Sequence, residues 1–169
     1  MEIKNTTVYT KKRIIKYHRH YVLDRLVVWL ILIASTAFIL SCDILMLLAG
    51  GEFFTSLTIT ILLIDILYPL LSLVILPNIH VKKVKTVGAT VEYAFKNDEI
   101  LMHSKNEHLD ETSIIKYTML LKVIKNKNEL YLYISSNQAF ILDITGSKPD
   151  DVIKIKRLLR KNVKKVIWN

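Results

Sequence analysis

Hydrophobic residues concentrate in two long runs, 26–49 and 53–76, separated only by Gly50, Gly51 and Glu52. As helices rising about 1.5 Å per residue, each run spans a bilayer core of roughly 30 Å. So tight a connection predicts an antiparallel two-helix transmembrane hairpin. Pro69 inside the second run predicts a kink, and Pro77 an exit from the helix. From residue 89 the period changes to two. Val91, Tyr93 and Phe95 share one face of a strand, and Lys96, Asn97, Asp98 and Glu99 read as a hairpin turn into a returning strand at 100–104. Residues 105–112 are polar and read as loop. Residues 114–125 are apolar-rich without a clear period. A turn at 126–129 leads into strands at 130–135 and 139–144, so the pattern predicts a meander of four to six antiparallel strands.

The last element reads as a helix. Ser147 followed by Asp150 suggests a capping box, with Pro149 in the first turn. At about 100° per residue, Val152, Ile155, Leu159, Val163 and Val166 form an apolar stripe. Lys154, Arg157, Lys161, Lys164 and Lys165 form a basic ridge opposite it, with Lys156 and Arg160 alongside. The segment before the first run mixes Val8, Ile14, Ile15, Tyr17, Tyr21 and Val22 with basic residues. It reads as a short strand continuing into a basic interfacial helix. The domains expected are therefore a basic segment at 1–25, the hairpin at 26–76, a linker at 77–88 and a cytosolic sheet domain at 89–169.

Charge adds orientation. The 169 residues carry a formal net charge of +9, unevenly spread. Residues 26–76 contain no Lys or Arg and three acids, Asp43, Glu52 and Asp65. Lys11, Lys12, Arg13, Lys16, Arg19 and Arg25 precede the first run, and Lys82, Lys83 and Lys85 follow the second. Both flanks select the cytoplasmic side, so both termini are expected there, with 50–52 at the outer surface. A cleaved signal fits poorly, because the first run is too long for an h-region and no small-residue cleavage site follows it. Cys42, the one cysteine, can form no intramolecular disulfide.

Several stretches resemble the bacterial YcxB-like family. Val91-Glu92-Tyr93-Ala94-Phe95-Lys96-Asn97-Asp98-Glu99-Ile100 is similar to its opening hairpin, and Tyr117-Thr118-Met119-Leu120-Leu121-Lys122-Val123-Ile124 to its central strand. Leu130-Tyr131-Leu132-Tyr133-Ile134-Ser135-Ser136-Asn137-Gln138-Ala139-Phe140-Ile141-Leu142 is similar to its most recognisable stretch. Met119 stands where the family tends to carry an acid. The resemblance implies a multi-pass protein of the bacterial cytoplasmic membrane. Its cytosolic part would be an α+β, pleckstrin-homology-like antiparallel barrel capped by the C-terminal helix. It implies no chemistry.

Candidate functional residues follow from the hairpin. In a hairpin folded about Gly50-Gly51, residues whose numbers add to about 101 lie at equal depth. Asp65 is then level with Ser35 and Thr36, and Asp43 with Thr58 and Thr60. Acids in a membrane are costly, and polar partners across the hairpin offset that cost. Five histidines form no ligand cluster, and no nucleophile elbow or glycine-rich phosphate loop is present. Neither a metal, a cofactor, enzymatic activity nor nucleic-acid binding is expected. The reading is a membrane-anchored interaction module. Its hairpin would meet a membrane-protein partner or a second copy, and its basic domain would face anionic headgroups at the inner surface. The alternative is a self-immunity protein, whose Asp43, Glu52 and Asp65 would face a cationic membrane-active bacteriocin or secreted toxin.

Overall fold

The computed structural model describes residues 2–24, 26–50 and 55–168. The expected outer turn at Gly51 and Glu52, the start of the second run at Phe53, and Arg25 lie outside the described residues. In chain order the elements are β1 (Ile3–Val8), α1 (Lys11–Leu23), α2 (Leu26–Leu48), α3 (Thr55–Leu70), a π-helical turn (Leu71–Ile75) and α4 (Leu76–Lys83). There follow β2 (Thr90–Phe95), β3 (Glu99–Asn106), β4 (Leu109–Lys116), a 3₁₀ turn (Tyr117–Met119), β5 (Lys122–Asn126), β6 (Glu129–Tyr133), β7 (Ala139–Asp143), α5 (Pro149–Asn162) and β8 (Val166–Trp168). They divide into two compact units. One comprises residues up to Tyr17 together with those from Lys83 onward, and the other is His18–Lys82.

In the sheet unit, β1-β2-β3-β4 form an antiparallel sheet, and β7-β6-β5-β8 form a second. β8 runs parallel to β5 and the other pairs are antiparallel. Segment 1–25 begins as a short strand and continues as a helix, and the strand belongs to this sheet. Its first strand pairs with β2 from Ile3↔Phe95 to Val8↔Thr90, and the pairing extends through Tyr9 N–H to Ala89 O (2.9 Å) and Gly88 N–H to Tyr9 O (2.9 Å). Gly88 sits at φ +82°, where a side chain would strain the backbone at the point of return. Alternate side chains of β1 to β3 fill the core, where Val91, Tyr93, Phe95 and Ile100 are fully buried. They are joined by Leu130, Leu132 and Leu142 from the second sheet and by Ile155 and Leu159 from α5.

Polar side chains, not a ladder, join β1 and β2 to β7. Asp143 N–H donates to Thr7 Oγ1 (2.9 Å), and Asn5 Nδ2 donates to Asp143 O (2.7 Å). Ile141 N–H donates to the Tyr9 hydroxyl (2.7 Å), and the Tyr93 hydroxyl donates to Ile141 O (3.0 Å). The two hydroxyls lie 2.8 Å apart. Burial raises both phenols above their ordinary pKa, so they stay protonated donors. In this way the outward backbone groups of Ile141 and Asp143 are satisfied without a neighbouring strand.

The first turns of α1 cover the other face of β6. Tyr17 packs edge-on against Tyr131, with ring centroids 5.2 Å apart, and Ile14 is 6 % exposed. Arg13 Nε meets Glu129 Oε1 at 3.0 Å, and its other nitrogens reach Asp143 Oδ2 and Val8 O. Lys16 Nζ lies 2.7 Å from Glu129 Oε2, which also accepts from the Tyr131 hydroxyl (3.0 Å). Two cations that the sequence reading assigned to topology and lipid thus satisfy the buried Glu129, and Arg13 also the half-buried Asp143.

Other elements depart from the pattern reading. Residues 105–112 are not a loop, because β3 and β4 meet across the two-residue turn Glu107-His108. Their polar composition reflects an outer strand wet on most sides. The Ser147–Asp150 box does not form. Lys148 is the N-cap with no side-chain bond, and the Ser147 hydroxyl instead accepts from Asn5 Nδ2 (2.7 Å). The helix ends at Asn162, so Val166 belongs to β8, and Lys164 and Lys165 lie in the connecting turn. Pro77 does not end the second apolar run, because the π-helical turn after Pro69 resets the hydrogen-bond ladder and α4 continues to Lys83.

In the hairpin unit α2 and α3 are antiparallel neighbours. Trp29 packs edge-on against Tyr68, with centroids 6.1 Å apart. Val28–Leu48 and Thr58–Lys82 are long and apolar enough to cross a membrane, and only 6 % of the most apolar window of each is buried within the protein.

Two consequences are measurable. Tyr9→Phe orphans the Ile141 N–H and should cost about 2 kcal/mol, read by thermal or chemical denaturation of the full chain in detergent with near-ultraviolet circular dichroism as the probe. Burial pushes the Asp143 carboxyl up, but the Thr145 hydroxyl and amide and the Arg13 guanidinium outweigh it and hold the pKa below the ordinary carboxylate value. The stability this carries is present above an unfolded-state value of about 4. It falls as pH drops through the lower folded value, and Asp143→Asn should flatten that part of the pH–stability curve.

Candidate functional site

The polar residues of the apolar helices form two rungs. The Thr36 hydroxyl donates to Asp65 Oδ2, and the Thr58 hydroxyl donates to Asp43 Oδ2. Both pairs lie on the register expected for a fold about Gly50-Gly51. The rungs are seven residues apart along each helix, about 10 Å at 1.5 Å per residue. Asp43 is 1 % exposed and Thr58 8 %. Each acid keeps one buried oxygen, Asp43 Oδ1 and Asp65 Oδ1, that meets no donor among the described residues.

Ser35 and Thr60 stand differently from the other polar residues singled out from the sequence. Ser35 Oγ donates to Leu32 O within its own helix (2.8 Å). Thr36 Oγ1 also lies 2.9 Å from Leu32 O, but it reaches Asp65 as well. Thr60 is exposed, whereas Thr58 is buried against Asp43. The helical repeat explains the selection: of two polar residues one or two positions apart, only one can point squarely at the partner helix.

The basic surface is in the sheet unit. Arg157, Lys161, Lys164 and Lys165 are exposed and Lys154 is half-buried. Only Lys154, Arg157 and Lys161 share the helix; Lys164 and Lys165 extend the same positive stretch into the turn before β8. Opposite them Ile155, Leu159 and Val163 are buried. Lys156 is drawn aside, with Nζ 5.9 Å from the centre of the Trp168 ring. None of these cations forms a salt bridge to an acid among the described residues.

Pattern reasoning missed two groups of side chains. Asn5, Thr7 and Tyr9, which bond to the backbone of β7 or to Tyr93, were not singled out from the sequence, where their spacing of two is the one signal they carry. His18 lies against His80, with ring centroids 5.5 Å apart and the rings tilted by 34°. Burial lowers the His18 pKa, and His80 lowers it further. Among the described residues no group of three or more His, Cys, Asp or Glu side chains could hold a metal ion. Chemically, the rungs fix helix register and the basic stretch attracts anions.

The rungs make a stability prediction. Thr58→Val and Thr36→Val should each destabilise the hairpin by about 1 kcal/mol, and nearly additively. Unfolding of the full chain by titration with a denaturing detergent measures this; two unchanged midpoints would rule out a stitching role.

No family model, curated protein or solved structure matches this chain.

Proposed function

We propose that this is a non-enzymatic, membrane-anchored interaction module of the bacterial cytoplasmic membrane. In this reading α2 and the α3–α4 segment are the transmembrane hairpin, and the sheet unit is a pleckstrin-homology-like domain on the cytoplasmic side. One observation carries it. The chain leaves a sheet after Tyr9, runs through two apolar helices that the protein itself leaves uncovered, and returns to the same sheet at Gly88. Phe38, Leu48 and Ile66 are 69 %, 80 % and 66 % exposed. Leaving such side chains in water costs about 1.5–3 kcal/mol each, and lipid removes that cost. A hairpin whose two ends meet in one sheet must enter and leave on one side. The flanking Lys and Arg make that side the cytoplasm.

Four strands, then three, then a helix is the order expected of a pleckstrin-homology-like barrel, as the resemblance to the YcxB-like family implies; β8 extends it. The unpaired cations of α5 and the turn after it support contact with anionic headgroups, worth about 1 kcal/mol per Lys or Arg near the surface. The apolar hairpin faces, held by their internal rungs, leave the outer surface for a membrane-protein partner.

Two experiments test the reading. A cysteine at Glu107, in a Cys42→Ser background, should react with an impermeant thiol reagent only after the inner membrane is opened, while the protein resists carbonate extraction. Labelling in intact cells would overturn the orientation, and release by carbonate would overturn insertion. In nanodiscs, hydrogen exchange of residues 150–165 should be slower with phosphatidylglycerol than with phosphatidylcholine. Arg157→Glu with Lys161→Glu, or 0.5 M salt, should remove most of that difference.

A further inference from the structure

The sheet unit leaves one long edge open. The β1 edge and β7 are joined by the Thr7, Asn5, Tyr9 and Tyr93 bonds described above, and β8 is three residues long. β4, eight residues, is paired only with β3. Across the two-residue turn at Glu107-His108, Asn106 and Leu109 form a hydrogen-bonded pair, so the odd-numbered residues of β4 bond to β3. The backbone N–H and C=O groups of Asp110, Thr112, Ile114 and Lys116 therefore point away from the sheet. The side chains of these four are exposed on its outer face, Ile114 by 57 %.

We propose that this edge binds a second copy of the chain, β4 to β4 and antiparallel about a two-fold axis at Ser113. In that register the outward groups of Asp110 face those of the partner's Lys116, and Thr112 faces the partner's Ile114. The symmetric pairs repeat these, giving about eight main-chain hydrogen bonds. On the outer face each Asp110 carboxylate meets the partner's Lys116 ammonium, and each Ile114 meets the partner's Thr112. Within one chain Asp110 is held only loosely, with His103 Nε2 at 3.5 Å and Lys105 Nζ at 3.9 Å, while Lys116 forms no salt bridge among the described residues.

Charges on an edge strand ordinarily deter pairing. Here they favour one register over its neighbours. Moving the axis to Thr112 sets Asp110 against Ile114 and leaves Lys116 without an opposite strand residue. Moving it to Glu111 sets like charges face to face. Moving it to Ile114 removes both ion pairs. The selected register is the one in which the edge complements itself in charge, in apolar contact and in hydrogen-bond direction.

A single strand pair covers less than the roughly 800 Å² per partner typical of a stable complex. Association should therefore be weak and should rise with the local concentration of the chain. The proposal concerns the sheet unit and does not depend on the hairpin's insertion. Carbonate extraction reads insertion separately.

The test uses the full chain in its native membrane with Cys42→Ser. Ser113 and the partner's Ser113 would form a non-hydrogen-bonded pair with Cα atoms about 4.5 Å apart. Ser113→Cys should then give about tenfold more disulfide dimer under mild oxidation than Thr6→Cys on the outer face of β1. Thr112→Pro removes an N–H that no β3 carbonyl uses, so it should leave the near-ultraviolet spectrum unchanged and abolish the dimer. Asp110→Lys should reduce crosslinking, and Asp110→Lys with Lys116→Asp should restore it. Crosslinking no greater than the Thr6→Cys control, crosslinking insensitive to Thr112→Pro, or capture of the Ser113→Cys thiol only by a different protein would each overturn the proposal.

Discussion

The pairing of β1 with β2 is the constraint on which the rest of this structure depends. One strand precedes the two apolar helices and the other follows them, so the sheet closes only after the whole hairpin has been made. Closing so long a loop is entropically costly, although the cost grows only logarithmically with length. Six residue pairs and a buried face offset it. The same pairing ties together the points where the chain departs and returns, Tyr9 and Gly88, and places α1 over β6. There Arg13 and Lys16 neutralise Glu129, an acid that would be expensive to bury alone.

Polar side chains inside this protein are used in two ways. In the sheet unit they complete backbone hydrogen bonding where strand pairing stops: two tyrosines, a threonine and an asparagine substitute for a missing neighbour of β7. Each of these side chains makes at least one hydrogen bond across or beside the junction. Between the apolar helices, Thr36 and Thr58 each satisfy one oxygen of an aspartate and leave the other unmet. That incomplete satisfaction sets the two rungs apart from the network in the sheet unit.

Much of the hairpin was legible because so few arrangements were open to it. Two long apolar runs joined by three residues can pack only antiparallel, and equal depth then follows from residue number. Periodicity could also narrow the candidates: Thr36, not Ser35, bonds across to α3. The strands at 90–104 and 130–144 were legible from their alternation. β4 was not, because an edge strand wet on both faces carries the composition of a loop. The ion pairs of Arg13 and Lys16 were illegible for a related reason: beside an apolar run a basic residue looks like a topology signal, and nothing local reveals an acid 113 or 116 residues away.

By itself, then, the sequence determined what short-range physics controls: two helices long and apolar enough to cross a membrane, strands where the period is two, and a final helix with one apolar and one basic face. Tertiary structure decided what depends on residues distant in the chain. It made β1 the first strand of a sheet and gave Ser147 to Asn5 instead of to its own helix. It also turned residues after α5 into a strand parallel to β5. In each case the partner lies more than forty residues away in sequence, beyond the reach of local pattern.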